Sequence, residues 1–207
     1  MNWLSHVLLS ENHIEFQLGN LLTDPLKAKV WEGASVKIEQ GVKMHLLIDG
    51  FTDSHKIVSS SKALITKRGH LKGVVLDILY DHFLSLHWDR FCYIQREVFL
   101  ENFRQNALKD VDNYPQIAQD IIRRVVINRQ LSSYEHMDGV VAAFRRIDAR
   151  LSVRARGKDN MQRYIPLIAQ VRDQLEEEFL NFFPQLMNEV ISSCENLEKM
   201  EHLRIVK

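Results

Sequence analysis

Apolar residues recur every three to four positions along almost the whole of this 207-residue chain, which is the spacing of amphipathic α-helices. No run of any length alternates apolar and polar residues in the way that a half-buried strand does. The chain contains only eight Gly and four Pro, whereas a β-sandwich or a β-barrel requires many tight turns. We therefore predict an all-α fold, a helical bundle in which residues 1–207 form a single domain.

Turn-forming residues divide this helical pattern into segments. Pro25 ends the first unit, since the residue before a proline disfavours the helical conformation. Pro115 suits the first position of a helix, Ser133 is a predicted N-cap, and Pro184 is expected to kink or divide the last helical stretch. The predicted helices cover residues 5–22 with a break near 10–13, 35–58, 59–67, 69–89, 94–108, 116–130, 133–151, 161–183 and 184–200.

Composition narrows the classes of function. The chain holds 27 basic and 27 acidic residues, and a formal net charge of zero disfavours a uniformly basic nucleic-acid binder. No window offers about twenty uninterrupted apolar residues, and the N-terminus lacks the basic region of a signal peptide. Cys92 and Cys194 lie far apart in the sequence and suit a reducing compartment. We expect a cytoplasmic protein that binds neither membranes nor nucleic acid.

An acidic line on an apolar helix is the first candidate site. Asp77 and Asp81 are four residues apart and lie on one face of a helix that is apolar on most sides. No Lys or Arg lies between Lys72 and Arg90 to compensate these two like charges, whose burial is costly. His82 adds a nitrogen ligand at the same edge. The arrangement favours a divalent cation, although a narrow solvated stripe would produce the same spacing.

A second helix repeats this chemistry. His45 and Asp49 are four residues apart among apolar neighbours, and Asp53 follows one turn later. Asp24 lies at a helix end and His6 on the first short helix, and both are candidates to join the same site. Each has a structural alternative: a solvated His–Asp pair for His45 and Asp49, a turn-former before proline for Asp24, and a core histidine for His6.

The ligand types indicate a catalytic rather than a structural metal. Imidazole and carboxylate groups without thiolates suit Mn, Fe, Zn or Mg. Several Asp with a few His are typical of metal-assisted hydrolysis, in which the ion polarises a phosphoryl oxygen and lowers the pKa of a bound water.

At these residues the sequence resembles the acyl carrier protein phosphodiesterase family, which is related to the His–Asp (HD-domain) metal-dependent phosphohydrolases. The adjacent His-Asp dipeptide of that superfamily is absent, and the only adjacent pair is the reversed Asp81-His82. Weaker similarity follows at residues 134–138 and 179–187. The matching segments stand in the family's order within roughly the first ninety residues, at 2–6, 19–24, 41–49 with 52–53, and 76–84 with 87–88.

The resemblance implies an all-α fold with the architecture of HD-domain phosphohydrolases. It also implies a reaction, hydrolysis of the phosphodiester that joins 4′-phosphopantetheine to a serine of holo acyl carrier protein, with a divalent metal that is usually manganese. The metal ligands that it implies are His6, Asp24, His45, Asp49, Asp77, Asp81 and His82. All of these except His6 are also implied as catalytic residues.

A basic segment is the candidate docking surface for the acidic carrier protein. Residues 123–158 hold nine basic and three acidic side chains, a net charge of +6. Such a surface accelerates and orients association more than it increases affinity. The residues that we expect to contact the carrier are Arg145, Arg146, Arg150, Arg154 and Arg156. Residues 171–201 carry a net charge of −6, and pairing within the chain is an equally supported alternative.

Two other functions remain open from the sequence. One is an HD-like phosphohydrolase of a nucleotide or another small phosphoester, although the chain lacks a phosphate loop and a base-stacking motif. The other is a non-catalytic helical binding protein in which the acidic lines are structural.

Overall fold

The computed structural model describes residues 1–127, 130–194 and 197–204. Short 3-10 helices lie at Val111–Asn113, Ser132–Glu135, Met161–Tyr164 and Leu197–Met200. The α-helices are α1 (Trp3–Leu8), α2 (Ile14–Leu22), α3 (Val36–Ser54), α4 (Lys56–Ile65), α5 (Lys72–Leu86), α6 (Trp88–Phe91), α7 (Arg96–Lys109), α8 (Gln116–Ile127), α9 (Met137–Arg150), α10 (Val153–Lys158) and α11 (Ile165–Ser193).

The prediction of an all-α fold is confirmed. Over the described ranges the only β-type pairing is an isolated bridge between Cys92 and Leu203, and no strand is present. None of the helices in this part of the chain is both long and apolar enough to cross a membrane. The end of the predicted helix 116–130 at residues 128 and 129 lies outside the described residues.

Several predicted boundaries differ from the structure. The helix predicted over 35–58 ends at Ser54, because His55 is extended and its Nδ1 caps α4 by accepting from the Ile57 amide at 3.3 Å. Ser133 lies in a 3-10 helix, and α9 begins only at Met137. Pro184 does not divide the last stretch, since α11 continues from Ile165 to Ser193. Buried aromatic side chains before Pro184 and buried aliphatic side chains after it offset the missing backbone hydrogen bond.

Helix α5 lies at the centre of the packing, as its apolar sequence predicts. Ten of its 15 residues are buried. Its aromatic side chains contact the long helix α11, with the Tyr80 ring 5.2 Å and the Phe83 ring 6.0 Å from the ring of Phe179. A polar group on the buried part of α5 is therefore far from bulk water and must find partners within the protein.

Helices α2 and α3 touch backbone to backbone at two glycines. A Cβ atom on Gly19 would lie 2.2 Å from the Ile38 carbonyl oxygen, and one on Gly41 would lie 2.2 Å from that of Phe16. Only glycine permits this approach at either position. The contact holds Asn20, which follows Gly19, beside His45, which lies one turn after Gly41 on α3.

Candidate metal centre

The first part of the site is a carboxylate that anchors α1. Asp81 has no exposed surface and reaches from α5 to the start of α1. Its Oδ2 accepts from the Leu4 amide at 2.8 Å, and its Oδ1 accepts from the Ser5 amide at 3.1 Å and the Ser5 hydroxyl at 2.6 Å. Asp81 thus caps α1 from another helix and fixes the position of His6, the next residue of α1.

The protonation of the His6 ring is determined by Asn20. The Asn20 amide nitrogen donates to the His6 carbonyl oxygen at 2.9 Å and to the Ser10 hydroxyl at 3.0 Å, so its Oδ1 faces His6 Nδ1 at 2.8 Å. Nδ1 must therefore carry the proton and donate to Asn20. The lone pair is left on Nε2, which is buried and has no hydrogen-bond partner in the described structure.

His45 is oriented in the same way. Its Nδ1 donates to the Asn20 backbone oxygen at 2.7 Å, which turns Nε2 towards two carboxylates. The Nε2 atom lies 3.0 Å from Asp49 Oδ2 and 3.2 Å from Asp24 Oδ1. The Asp24 side chain is 69% exposed, so this carboxylate faces both His45 and the solvent.

Asp49 brings the two histidines to one point. Its Oδ1 lies 3.3 Å from His6 Nε2, while its Oδ2 contacts His45. One ligand atom from each of His6, His45 and Asp49 lies within 4.8 Å of the others. Two imidazole nitrogens and a carboxylate are a donor set that suits divalent transition metals, and the unpartnered His6 nitrogen requires an acceptor of its lone pair. This group fits a metal ion.

The pKa values of the three convergent residues are shifted in different directions by burial and by their charged neighbours. Burial lowers the pKa of His6 to about 4, so this ring is neutral near pH 7. Burial also disfavours the charged form of His45, but the Asp24 and Asp49 carboxylates outweigh it and raise the pKa to about 9. Although burial opposes it, the hydrogen bond from His45 and the positive charge of the Met1 amino group lower the pKa of Asp49. A cation is therefore favoured at the carboxylates, and protonated His45 supplies one when no metal does.

Asp77 lies beside this group without joining its closest contacts. The amino nitrogen of Met1 is 3.2 Å from Asp49 Oδ1 and 3.4 Å from Asp77 Oδ1, so it bridges the two carboxylates. Burial raises the pKa of the Asp77 carboxyl group. Asp77 and Asp24 both line a cavity of about 270 Å³ that opens towards α9.

The remaining predicted residues lie elsewhere. His82 Nδ1 donates to the Tyr134 carbonyl oxygen at 2.7 Å, on the side of α5 that faces residues 132–135, and His82 does not reach the His6–His45–Asp49 group. Asp53 is exposed and pairs with Lys62 at 3.1 Å. The structure therefore gathers four of the seven predicted ligands around His45, places Asp77 next to them, and gives Asp81 and His82 contacts of another kind.

Asn20 is the residue that our sequence reasoning did not identify. It holds both imidazoles, one through its side chain and one through its backbone oxygen. Its position next to Gly19, inside a segment that resembles the family, was the available signal. An uncharged amide side chain is not a typical metal ligand, so the spacing of histidines and carboxylates that indicated His45 and Asp49 does not indicate Asn20.

The five arginines of the predicted docking surface lie on α9 and α10. Arg145, Arg150, Arg154 and Arg156 are exposed, and Arg146 is half-buried. No ion pair in the described residues joins the basic segment 123–158 to the acidic segment 171–201. The acids of α11 instead contact α4, the residue that follows α5, and their own helix, with Glu176 on His87 at 2.6 Å and Glu178 on the Ser60 hydroxyl at 2.7 Å. Arg129 and Glu195, which belong to these segments, lie outside the described residues.

Comparison with known proteins places the chain in a family. The family model for acyl carrier protein phosphodiesterase matches residues 1–186, well beyond the motifs in the first ninety residues. The acyl carrier protein phosphodiesterases of Yersinia pestis and Serratia proteamaculans are each 25% identical, over 193 and 197 residues, with 91% of this chain and 97% of the relative covered. That of Photorhabdus laumondii is 34% identical over 91 residues, 44% of this chain and 46% of the relative. No solved structure matches the chain. The resemblance predicted from the sequence is confirmed, and the chain belongs to the acyl carrier protein phosphodiesterase family.

Proposed function

We propose that this chain is a metal-dependent hydrolase that cleaves the phosphodiester between 4′-phosphopantetheine and the carrier serine in holo acyl carrier protein. The products are apo carrier protein and 4′-phosphopantetheine. Family membership supports the reaction and the substrate. The observation that carries the metal site is the convergence of His6 Nε2, His45 Nε2 and the Asp49 carboxylate within 4.8 Å.

The three convergent side chains are the proposed metal ligands, and Asp24 and Asp77 are the nearest further carboxylates. We favour Mn, while Mg, Fe or Zn would also suit a set of imidazole and carboxylate donors. An ion held there would polarise a phosphoryl oxygen and lower the pKa of a water ligand.

The chain's own residues prepare the site in three ways. Asn20 fixes the ring orientation of both histidines, and Asp81 holds α1 so that His6 stays in place. Asp24 is exposed and ionised, because its contact with His45 lowers the pKa of its carboxyl group. It can therefore accept a hydrogen bond from the attacking water and orient it towards phosphorus. Asp77, which lines the same cavity, can act in the same manner.

The position of α9 supports docking of an acidic carrier protein. Its arginines have no carboxylate partners within the described part of the chain, so their charge is available to an external partner. Arg146 and Arg150 line the cavity that also contains Asp24 and Asp77. A carrier seated on α9 would therefore present its modified serine at the mouth of the metal centre. Electrostatic attraction would set the orientation and the rate of encounter.

The test is incubation of the protein with holo acyl carrier protein and Mn²⁺, followed by mass measurement of the carrier. We expect conversion to the apo form with the wild type and with Asp53→Ala, and no conversion with Asp49→Ala. Asp53 is a matched control because it lies on the same helix but its carboxylate pairs with Lys62. If small phosphoesters are hydrolysed and the holo carrier is left intact, the phosphohydrolase alternative replaces this proposal. If no metal binds and no phosphoester is cleaved, the chain is a binding protein.

A further inference from the structure

The cavity next to the candidate metal centre is lined by two kinds of polar group. The first kind is the carboxylates Asp24 and Asp77, which lie beside the proposed metal ligands. The second kind is hydrogen-bond donors, which come from Asn2, Tyr134 and Arg146. An anion bound at a metal is stabilised further by donors that reach its remaining oxygens, and this cavity of about 270 Å³ contains such donors.

We infer that Arg146, together with Tyr134 and Asn2, forms the subsite that binds the non-bridging oxygens of the substrate's phosphodiester. The inference rests on the proposed function, and it gives Arg146 a role different from that of the outer arginines on the same surface. Arg146 would contact the reacting phosphate, whereas Arg145 and Arg154 would contact only the carrier protein.

The surroundings of Arg146 support this role. The guanidinium is half-buried, and no carboxylate of the described residues forms an ion pair with it. It lies close to the hydroxyl of Tyr134, a side chain that is itself 3% exposed. A partly buried guanidinium loses part of its hydration, and an anion held beside it offsets that loss. A phosphodiester carries one negative charge and would be that partner.

Asn2 provides a second unsatisfied donor at the same place. Its Nδ2 atom is buried and has no hydrogen-bond partner in the described structure. Its side chain also lies next to Tyr134, so that the amide, the phenol and the guanidinium form one cluster. Buried donors without acceptors are costly, and a phosphoryl oxygen in the cavity would accept from them. The planar guanidinium can donate two parallel hydrogen bonds to phosphate oxygens, which an ammonium cannot do.

Binding of inorganic phosphate to chelator-treated protein isolates this subsite from the metal. We expect Arg146→Gln to weaken phosphate binding by roughly 10- to 100-fold, which is the scale of a lost hydrogen bond to a charged group. Arg146→Lys should restore part of the affinity, which separates lost chemistry from misfolding. The matched control is Arg145→Gln, since Arg145 is the neighbouring residue and is exposed. Equal phosphate affinity in Arg146→Gln and Arg145→Gln would overturn the inference.

Steady-state kinetics then separates the subsite from carrier docking. With bis(4-nitrophenyl) phosphate as a small phosphodiester, Arg146→Gln should lower kcat/KM, and Arg90→Gln, at an exposed arginine outside the basic segment, should leave it unchanged. With holo carrier, Arg145→Gln should raise KM alone, while Arg146→Gln should also lower kcat. If phosphate binding depends on Arg146 but the holo carrier is never cleaved, the subsite stands and the proposed function fails. If the carrier is cleaved and both variants behave alike in every assay, the subsite fails and the function stands.

Discussion

The imidazole rings of His6 and His45 are stacked, with their centroids 3.9 Å apart and their planes at 10°. They come from different helices, α1 and α3, yet each directs Nε2 towards Asp49. Their Nδ1 atoms both donate to Asn20, one to its side chain and the other to its backbone oxygen. A single residue of α2 thus directs both Nε2 atoms towards one carboxylate, an arrangement that would preorganise the proposed metal centre before any ion binds.

Replacing Asn20 should weaken metal binding even though Asn20 is not a ligand. In Asn20→Ala the side-chain acceptor of His6 Nδ1 is lost, so the ring can rotate or take the other tautomer. We expect Mn²⁺ affinity to fall by roughly 10- to 100-fold, the usual effect of removing such a supporting partner. Isothermal titration calorimetry measures the change, with Asn12→Ala as an exposed control. An unchanged Kd in Asn20→Ala would show that packing alone orients His6.

Metal addition should stabilise the folded protein through the same three ligands. A ligand at about 100 times its Kd stabilises by about 2.7 kcal/mol, so saturating Mn²⁺ should raise the thermal midpoint and a chelator should reverse the rise. The increment should vanish in His6→Ala and Asp49→Ala and persist in Asp53→Ala. Differential scanning calorimetry with and without chelator checks it. A full increment in Asp49→Ala would place the ion elsewhere.

Asp77 and Asp81 should respond differently to the same substitution. Asp81→Ala removes three hydrogen bonds to Leu4 and Ser5, and we expect it to lower the free energy of unfolding by about 1–3 kcal/mol. Asp77→Ala should leave stability nearly unchanged and greatly reduce turnover, because Asp77 lines the cavity beside the metal centre. Urea unfolding and carrier-cleavage assays separate the two. A stable but inactive Asp81→Ala would instead indicate a direct catalytic role.

The sequence predicts which residue types form this site better than it predicts which of them are ligands and which hold the helices in place. His45 and Asp49 meet as their i,i+4 spacing requires, because both belong to one helix. The same spacing brings Asp77 and Asp81 to neighbouring positions on α5. Asp81, however, accepts hydrogen bonds from the free amides at the start of α1, more than 70 residues away in the chain. Backbone amides do not show in a pattern of residue types, so local spacing cannot distinguish a metal ligand from a helix cap.

Long-range packing explains the other differences. The α-helical class follows from apolar spacing, which each helix carries within itself. The continuity of α11 through Pro184 depends instead on aromatic contacts with other helices, such as the Phe91 ring 4.9 Å from that of Phe183. Which helices meet at Asn20 depends likewise on the contact of Gly19 with α3, and that contact is invisible until both helices are placed.

Acidification should destabilise the protein through buried histidines, of which His202 lies far from the metal centre. Burial lowers the pKa of His202, whose Nε2 donates to the Leu8 carbonyl oxygen at 2.8 Å and whose Nδ1 has no partner in the described structure. Below about pH 6.5 the unfolded state binds the proton more readily, so stability falls with decreasing pH. In His202→Gln the loss of unfolding free energy between pH 7 and pH 5 should be smaller. Identical pH profiles, measured by urea unfolding, would contradict this.

Two glycines of α3 provide a matched test of how the helices hold the centre together. A Cβ on Gly41 would lie 2.2 Å from the Phe16 carbonyl oxygen and 2.7 Å from the Asn20 nitrogen, so Gly41→Ala must separate α2 from α3. We expect a loss of about 1–3 kcal/mol in unfolding free energy and weaker Mn²⁺ binding, because Asn20 moves away from His45. Gly50 has no neighbour within 4 Å of the corresponding position, so Gly50→Ala should stabilise the helix by about 0.5–1 kcal/mol without affecting the metal. Urea unfolding measures the change in stability of both variants, and calorimetric titration measures their Mn²⁺ affinity. Equal metal affinity in the two would mean that the backbone contact does not set the geometry of the site.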